Sequence, residues 1–94
     1  MEKLSEDQIQ QELKNFPNWD YEKNAIHISY EFEDFKSAFT VMTRIAFEAE
    51  RFQHHPEWSN VYNSVNISLS THDADGVTKK DFQLAEAIEK VLGQ

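Results

Sequence analysis

The 94-residue sequence predicts an α+β fold: a two-layer domain with a small antiparallel β-sheet and three helices packed on one face. Three observations predict it. Apolar residues recur at helical spacing in three segments. The segments between them alternate apolar and polar residues with period two. Each helix and each strand also offers a single apolar face, so the helices have one side of the sheet to cover. The expected order is α-β-β-α-β-α. The length points to one domain over residues 1–94, able to bury roughly 60–65% of its unfolded surface.

The first helix has a clear start. Ser5 is placed to cap it, Gln8 three residues on completes a capping box, and Leu4 and Ile9 sit where a hydrophobic staple forms. Pro17 ends it near Lys14. A hairpin follows. Trp19 and Tyr21 alternate with polar residues, as do Ile26, Ile28, Tyr30 and Phe32, and Glu22-Lys23-Asn24 reads as the turn. Asp34 then caps the longest helix, about residues 35–52. Phe35, Ala38, Phe39, Met42, Ile45, Ala46 and Ala49 form its expected core stripe, with Phe47 off that stripe. Pro56 closes the region. A third strand runs through VYNSVNISLSTH, with Val65, Ile67 and Leu69 on one face and Asn66, Ser68 and Ser70 on the other. After a loop at residues 73–76, Thr78 and Asp81 open the last helix as a second capping pair. Phe82, Ala85, Ile88 and Leu92 form its apolar stripe.

Composition narrows the function. Seventeen acidic residues against nine basic ones give a formal charge of −8. That balance argues against direct nucleic-acid binding and against an anionic membrane surface. The N-terminal MEKLSEDQIQ lacks an apolar signal core, and no run of about 20 apolar residues could span a bilayer. The chain has no cysteine, so disulfides and thiolate zinc sites are excluded, and a cytoplasmic location is expected.

The stretch RFQHHPEW, residues 51–58, carries the chemistry. His54 and His55 follow the long helix, His72 ends the third strand, and Asp81 lies in the first turn of the last helix. If those ends meet at one edge of the sheet, three imidazoles and a carboxylate share a mouth. Imidazole, with an ordinary pKa of about 6.5, exchanges protons both ways near neutral pH. Structural readings stand beside this one. His27, facing away from the buried stripe, is expected to be solvated. Asp81 serves equally as a helix-capping acid. Trp58 and Tyr62 are of a type that more often packs than stacks on a ligand. A histidine metal site is a rival, but adjacent histidines rarely share one ion and no HExxH spacing is present, so no metal is expected.

Laid out in this way, the sequence resembles the pterin-4a-carbinolamine dehydratases. The pattern is carried by Glu50, His54-His55-Pro56, Tyr62, His72 and Asp81, within HHPEWSNVYNSVNISLSTHDADGVTKKD. Gln53 stands where some relatives carry aspartate, and the loop at residues 73–76 has one glycine where many relatives have Gly-Gly or Ala-Gly.

The resemblance implies an enzyme, a hydro-lyase that dehydrates 4a-hydroxytetrahydropterin to quinonoid dihydropterin and water with no cofactor. It implies that His54 and His72 handle protons, while His55 orients the ring or acts on its other face. Asp81 holds an imidazole or touches the pterin. Backbone at Ser70 and Thr71 binds the pterin edge, Trp58 walls the pocket, and Glu50 and Pro56 support the site. It also implies a homodimer or homotetramer and a functional link to an aromatic amino acid hydroxylase. The alternative is a protein-binding, dimerisation co-regulator module of the same family.

Overall fold

A computed structural model describes residues 2–93. The elements are α1 (Glu6–Leu13), β1 (Asp20–Glu22), β2 (Ala25–Glu31), α2 (Phe35–Phe52), β3 (Glu57–Val61), β4 (Ser64–Leu69), a 3-10 turn (His72–Ala74) and α3 (Lys79–Leu92). The expected α-β-β-α-β-α order holds, with the β segment after α2 folded as a hairpin of two strands. The sheet is antiparallel throughout, in the order β1-β2-β4-β3.

Local chemistry sets the boundaries. Around the start of α1, Ser5 Oγ accepts from Gln8 N at 3.1 Å, and Gln8 Oε1 accepts from Ser5 N at 2.8 Å. At α2, Asp34 Oδ1 accepts from Ser37 N at 2.8 Å. The β1–β2 turn uses two residues, Lys23 (φ 53) and Asn24 (φ 64), the pair of positive φ values of a type I′ turn. The second hairpin turns at Tyr62 (φ 51) and Asn63.

One apolar layer joins sheet and helices. Across β2 and β4, Ile26 faces Leu69 and Ile28 faces Ile67, and all four are buried. Ile45 and Ala49 of α2 and Leu84, Ala85 and Ile88 of α3 close over them in the same core. The opposite sheet face carries Ser29 and Asn66, cross-strand partners joined by a hydrogen bond.

The expected stripe of α2 needs correction. Ala38, Ile45 and Ala49 are buried, but Phe35 is 48% and Phe39 56% exposed, and Ala46 faces solvent as well. The fully buried side of α2 is narrow, with Val41, Met42 and Phe52 packed partly buried against the core. The bulky rings go outward, where Phe35 and Phe39 pack on each other with centroids 5.8 Å apart. Phe47, 70% exposed, adds to this outer apolar surface. No helix among the described residues is long and apolar enough to cross a membrane.

Candidate active site

The site forms where α2 ends, β3 begins, β4 ends and α3 begins. The exit from α2 builds its first wall. Gln53 takes the left-handed conformation (φ 53), its N–H donates to Glu50 O at 3.2 Å, and His54 N–H donates to Ala49 O at 3.0 Å. These two bonds are the Schellman arrangement that ends helices. Pro56 two residues later prevents resumption. The chain therefore leaves α2 sharply, and neighbouring His54 and His55 diverge.

His54 turns inward and is 9% exposed. Its Nε2 lies 2.5 Å from Oδ1 of Asp81, a residue with no exposed surface. The other oxygen of Asp81 accepts from Thr71 Oγ1 at 2.9 Å and from Thr78 N at 2.9 Å. The Thr71 and Thr78 hydroxyls bond to each other at 2.8 Å. Both oxygens of the carboxylate are thus hydrogen-bonded, which is what makes a buried acid tolerable. With the carboxylate as acceptor, Nε2 of a neutral ring carries the hydrogen and Nδ1 is left as an acceptor.

His55 turns outward. Its Nε2 meets Glu50 Oε2 at 2.6 Å, with both side chains largely in solvent. His54, His55 and His72 line one cleft of about 390 Å³. Gln53, Pro56, Glu57, Ser70, Thr71 and Lys80 complete most of its wall. The three imidazoles, from two separate stretches of chain, are brought to a single opening.

The remaining expected residues take different places. Asp81 stands behind His54, with no exposed surface and outside the lining of the cleft. Thr71 N–H donates to Gly76 O, and its carbonyl accepts from Ala74 and Gly76, so its backbone is engaged around the 3-10 turn, while Ser70 and Thr71 both line the cleft. Trp58 is the cross-strand partner of Ile67 and packs on the core, lining a neighbouring groove and not the histidine cleft. Tyr62 sits exposed at the β3–β4 turn. Glu50 and Pro56 are where the His55 contact and the helix exit require them.

Two neighbours of the site escaped the sequence reading. Thr78 was legible as a helix cap but not as a hydroxyl partner of Thr71. His27, expected to be solvated, is half-buried and shares a smaller cavity with His55 and His72. Only the sheet register, with His27 opposite Ser68, reveals that position. Among the described residues, no group of three or more His, Cys, Asp or Glu is arranged to hold a metal ion.

Comparisons agree with this geometry. The family described as pterin 4 alpha carbinolamine dehydratase matches residues 2–91. A protein of Christiangramia forsetii named "Putative pterin-4-alpha-carbinolamine dehydratase" is 66% identical over 92 residues, covering 98% of this chain and 95% of that one. A protein of the same name from Rhizorhabdus wittichii is 48% identical over 91 residues, 95% of this chain and 94% of that one. A crystal structure of a "transcriptional coactivator/pterin dehydratase" from Brucella melitensis superposes with a TM-score of 0.92 at 36% identity, covering 95% of this chain and 97% of that one. With the fold, the three-histidine cleft and these likenesses together, the chain belongs to the pterin 4 alpha carbinolamine dehydratase family.

Proposed function

We propose that this protein dehydrates a 4a-hydroxytetrahydropterin to quinonoid dihydropterin and water by histidine acid/base catalysis. The observation that carries the reading is the meeting of His54, His55 and His72 in one cleft, with His54 held by a buried carboxylate. In the reaction the C4a–O bond breaks, the N5–H bond breaks and a C4a=N5 double bond forms. Hydroxide leaves poorly, so one proton is delivered to the C4a oxygen as a second is taken from N5, with no net proton change.

His54 suits one of these transfers, because Asp81 fixes its ring and tautomer. His72, exposed on the 3-10 turn, suits the other, since its imidazole can exchange protons with solvent between turnovers. His55, steadied by Glu50, orients the bicyclic ring from the rim. Ser70 supplies polar contact at the strand end. No cofactor takes part in this scheme. Such a reaction serves tetrahydropterin recycling after an aromatic amino acid hydroxylase, and a cytoplasmic location belongs to the same proposal.

Steady-state rates on carbinolamine generated in situ test the assignment. Replacing His54 or His72 with Ala is expected to lower kcat by about 10²–10⁴-fold, the range of acid/base groups. Losses below about threefold for all three histidine variants would remove the role.

A second reading, a protein-binding co-regulator, draws support from the coactivator wording attached to the Brucella melitensis structure. Turnover by the purified protein separates the two. Self-association into a homodimer or homotetramer is part of the proposal, motivated by the exposed Phe35, Phe39 and Phe47. Light scattering showing only monomer at micromolar concentration would count against it.

A further inference from the structure

The Asp81 carboxylate receives three hydrogens, one from His54 Nε2 on Oδ1 and two on Oδ2, from Thr71 Oγ1 and the Thr78 N–H. An ionised carboxylate can only accept, so the single hydroxyl hydrogen of Thr71 is committed to Asp81. That commitment fixes the direction of the next bond. The Thr71 and Thr78 hydroxyls lie 2.8 Å apart, and only Thr78 has a hydrogen left to give. The Thr78 oxygen in turn accepts from the Lys80 N–H at 3.2 Å, one of the first-turn amides of α3 that a helix leaves without an internal partner. The bonds therefore run one way. They start at the N-terminus of α3, pass through Thr78 and Thr71, and end on the Asp81 oxygen that His54 does not touch. Thr71 is 8% exposed, and Thr78 and Asp81 have no exposed surface.

Such a chain acts on His54 without touching it. Aligned hydrogen bonds polarise one another, and water does little to damp the effect in a buried place. Each hydrogen on Asp81 draws off negative charge that would otherwise pull on the Nε2 hydrogen. The two bonds on Oδ2 also hold the plane of the carboxylate, and with it the ring. Without the Thr71 hydrogen, Asp81 pulls harder on Nε2–H, and Nδ1 keeps a proton it has taken more firmly. A histidine that exchanges a proton in every turnover has to give as well as take, so a ring that holds too tightly slows the cycle.

We propose that the Thr71 hydroxyl is a positioning group, tempering Asp81 so that His54 both takes and releases a proton. The inference rests on the dehydratase reading and adds a residue to its machinery. Although Thr71 lines the cleft, its hydroxyl has no hydrogen left for a ligand, so its effect falls on turnover and not on binding.

Thr71→Val keeps the shape of the side chain and removes the hydroxyl. On carbinolamine generated in situ it is expected to lower kcat by about three- to tenfold, the scale of one hydrogen bond, with KM changed by less than about twofold. In proton NMR of the unliganded protein, the His54 Nε2–H resonance is expected to move downfield. Thr71→Ser, which keeps the hydroxyl, is expected to return both readings toward the wild-type values. Thr71→Cys, a weaker donor of similar size, is expected to fall between them and keeps the test readable if Thr71→Val misfolds. An unmoved or upfield Nε2–H signal in a variant with a wild-type circular dichroism spectrum overturns the proposal, as does a loss carried by KM alone. Lower stability with kcat and the signal unchanged makes Thr71 a structural residue only, and overturns it as well. In each of these cases the wild type still turns over and the dehydratase reading stands. A wild type that turns over no carbinolamine overturns both.

Discussion

His54 and His55 are neighbours in the chain and opposites in the fold. The first is held by a fully buried carboxylate within a closed network of threonine hydroxyls and a backbone N–H. The second meets Glu50 in open water. An ion pair in water contributes about 0–1 kcal/mol, whereas a buried polar group left without its partner costs about 1–3 kcal/mol. The difference teaches that one dipeptide supplies both a fixed imidazole and an adaptable one, and that the exit geometry of α2 divides the two roles.

The sharpest way to break that contrast is Asp81→Ala. It leaves His54 Nε2, Thr71 Oγ1 and the Thr78 N–H without their acceptor, and a stability loss of about 2–4 kcal/mol is expected in urea unfolding. Next comes the pair itself. His54→Ala should cost about 1–3 kcal/mol, since it opens a cavity and strips Asp81 of one donor, while His55→Ala should stay within about 0.5 kcal/mol. Equal costs for the two would erase the distinction.

A smaller effect is expected at Gln53, the hinge that separates them. Gln53→Val places a β-branched side chain at φ 53 and should cost about 1–2 kcal/mol, whereas Gln53→Gly should be close to neutral because relief of the left-handed conformation offsets the lost contact with Glu50 O. Thermal melts of the two variants measure the gap.

The smallest effect is expected at Asp34, the half-buried counterpart of Asp81 as a capping carboxylate. The Ser37 backbone N–H, then the Ser37 hydroxyl, hold its pKa below the ordinary value, with Lys36 adding a little. A depressed pKa means that its contribution is present above the unfolded-state pKa and fades as the pH falls through the folded-state value. Asp34→Asn should therefore lower stability slightly at neutral pH, and its melting curve should converge with that of the wild type in acid. A gap that widens in acid would contradict this.

Much of the scaffold was legible in the residues. Both capping boxes, the Asp34 cap and the period-two strands are local signals, and each appears where the pattern put it. The β3 strand was not, because its turn at Tyr62-Asn63 lacks the Asn-Gly or Asp-Gly signature, so the run from Val61 onward reads as continuous strand. The outward turn of Phe35 and Phe39 was also hidden, since helical spacing identifies an apolar stripe but not its centre. In the candidate site, the meeting of His54, His55 and His72 at one opening was readable. Their depths were not. That Asp81 lies behind His54, and that His27 shares a cavity with His55 and His72, depends on register and packing across long stretches of chain.

The Thr78–Asp81 cap has one more consequence. A single carboxylate both starts α3 and holds the His54 ring, so assembly of the last helix and fixing of the imidazole are one event. If the proposed histidine chemistry holds, mild denaturant that frays the beginning of α3 abolishes turnover while most of the sheet still stands. Turnover would then report on the docking of the C-terminal segment more sensitively than circular dichroism.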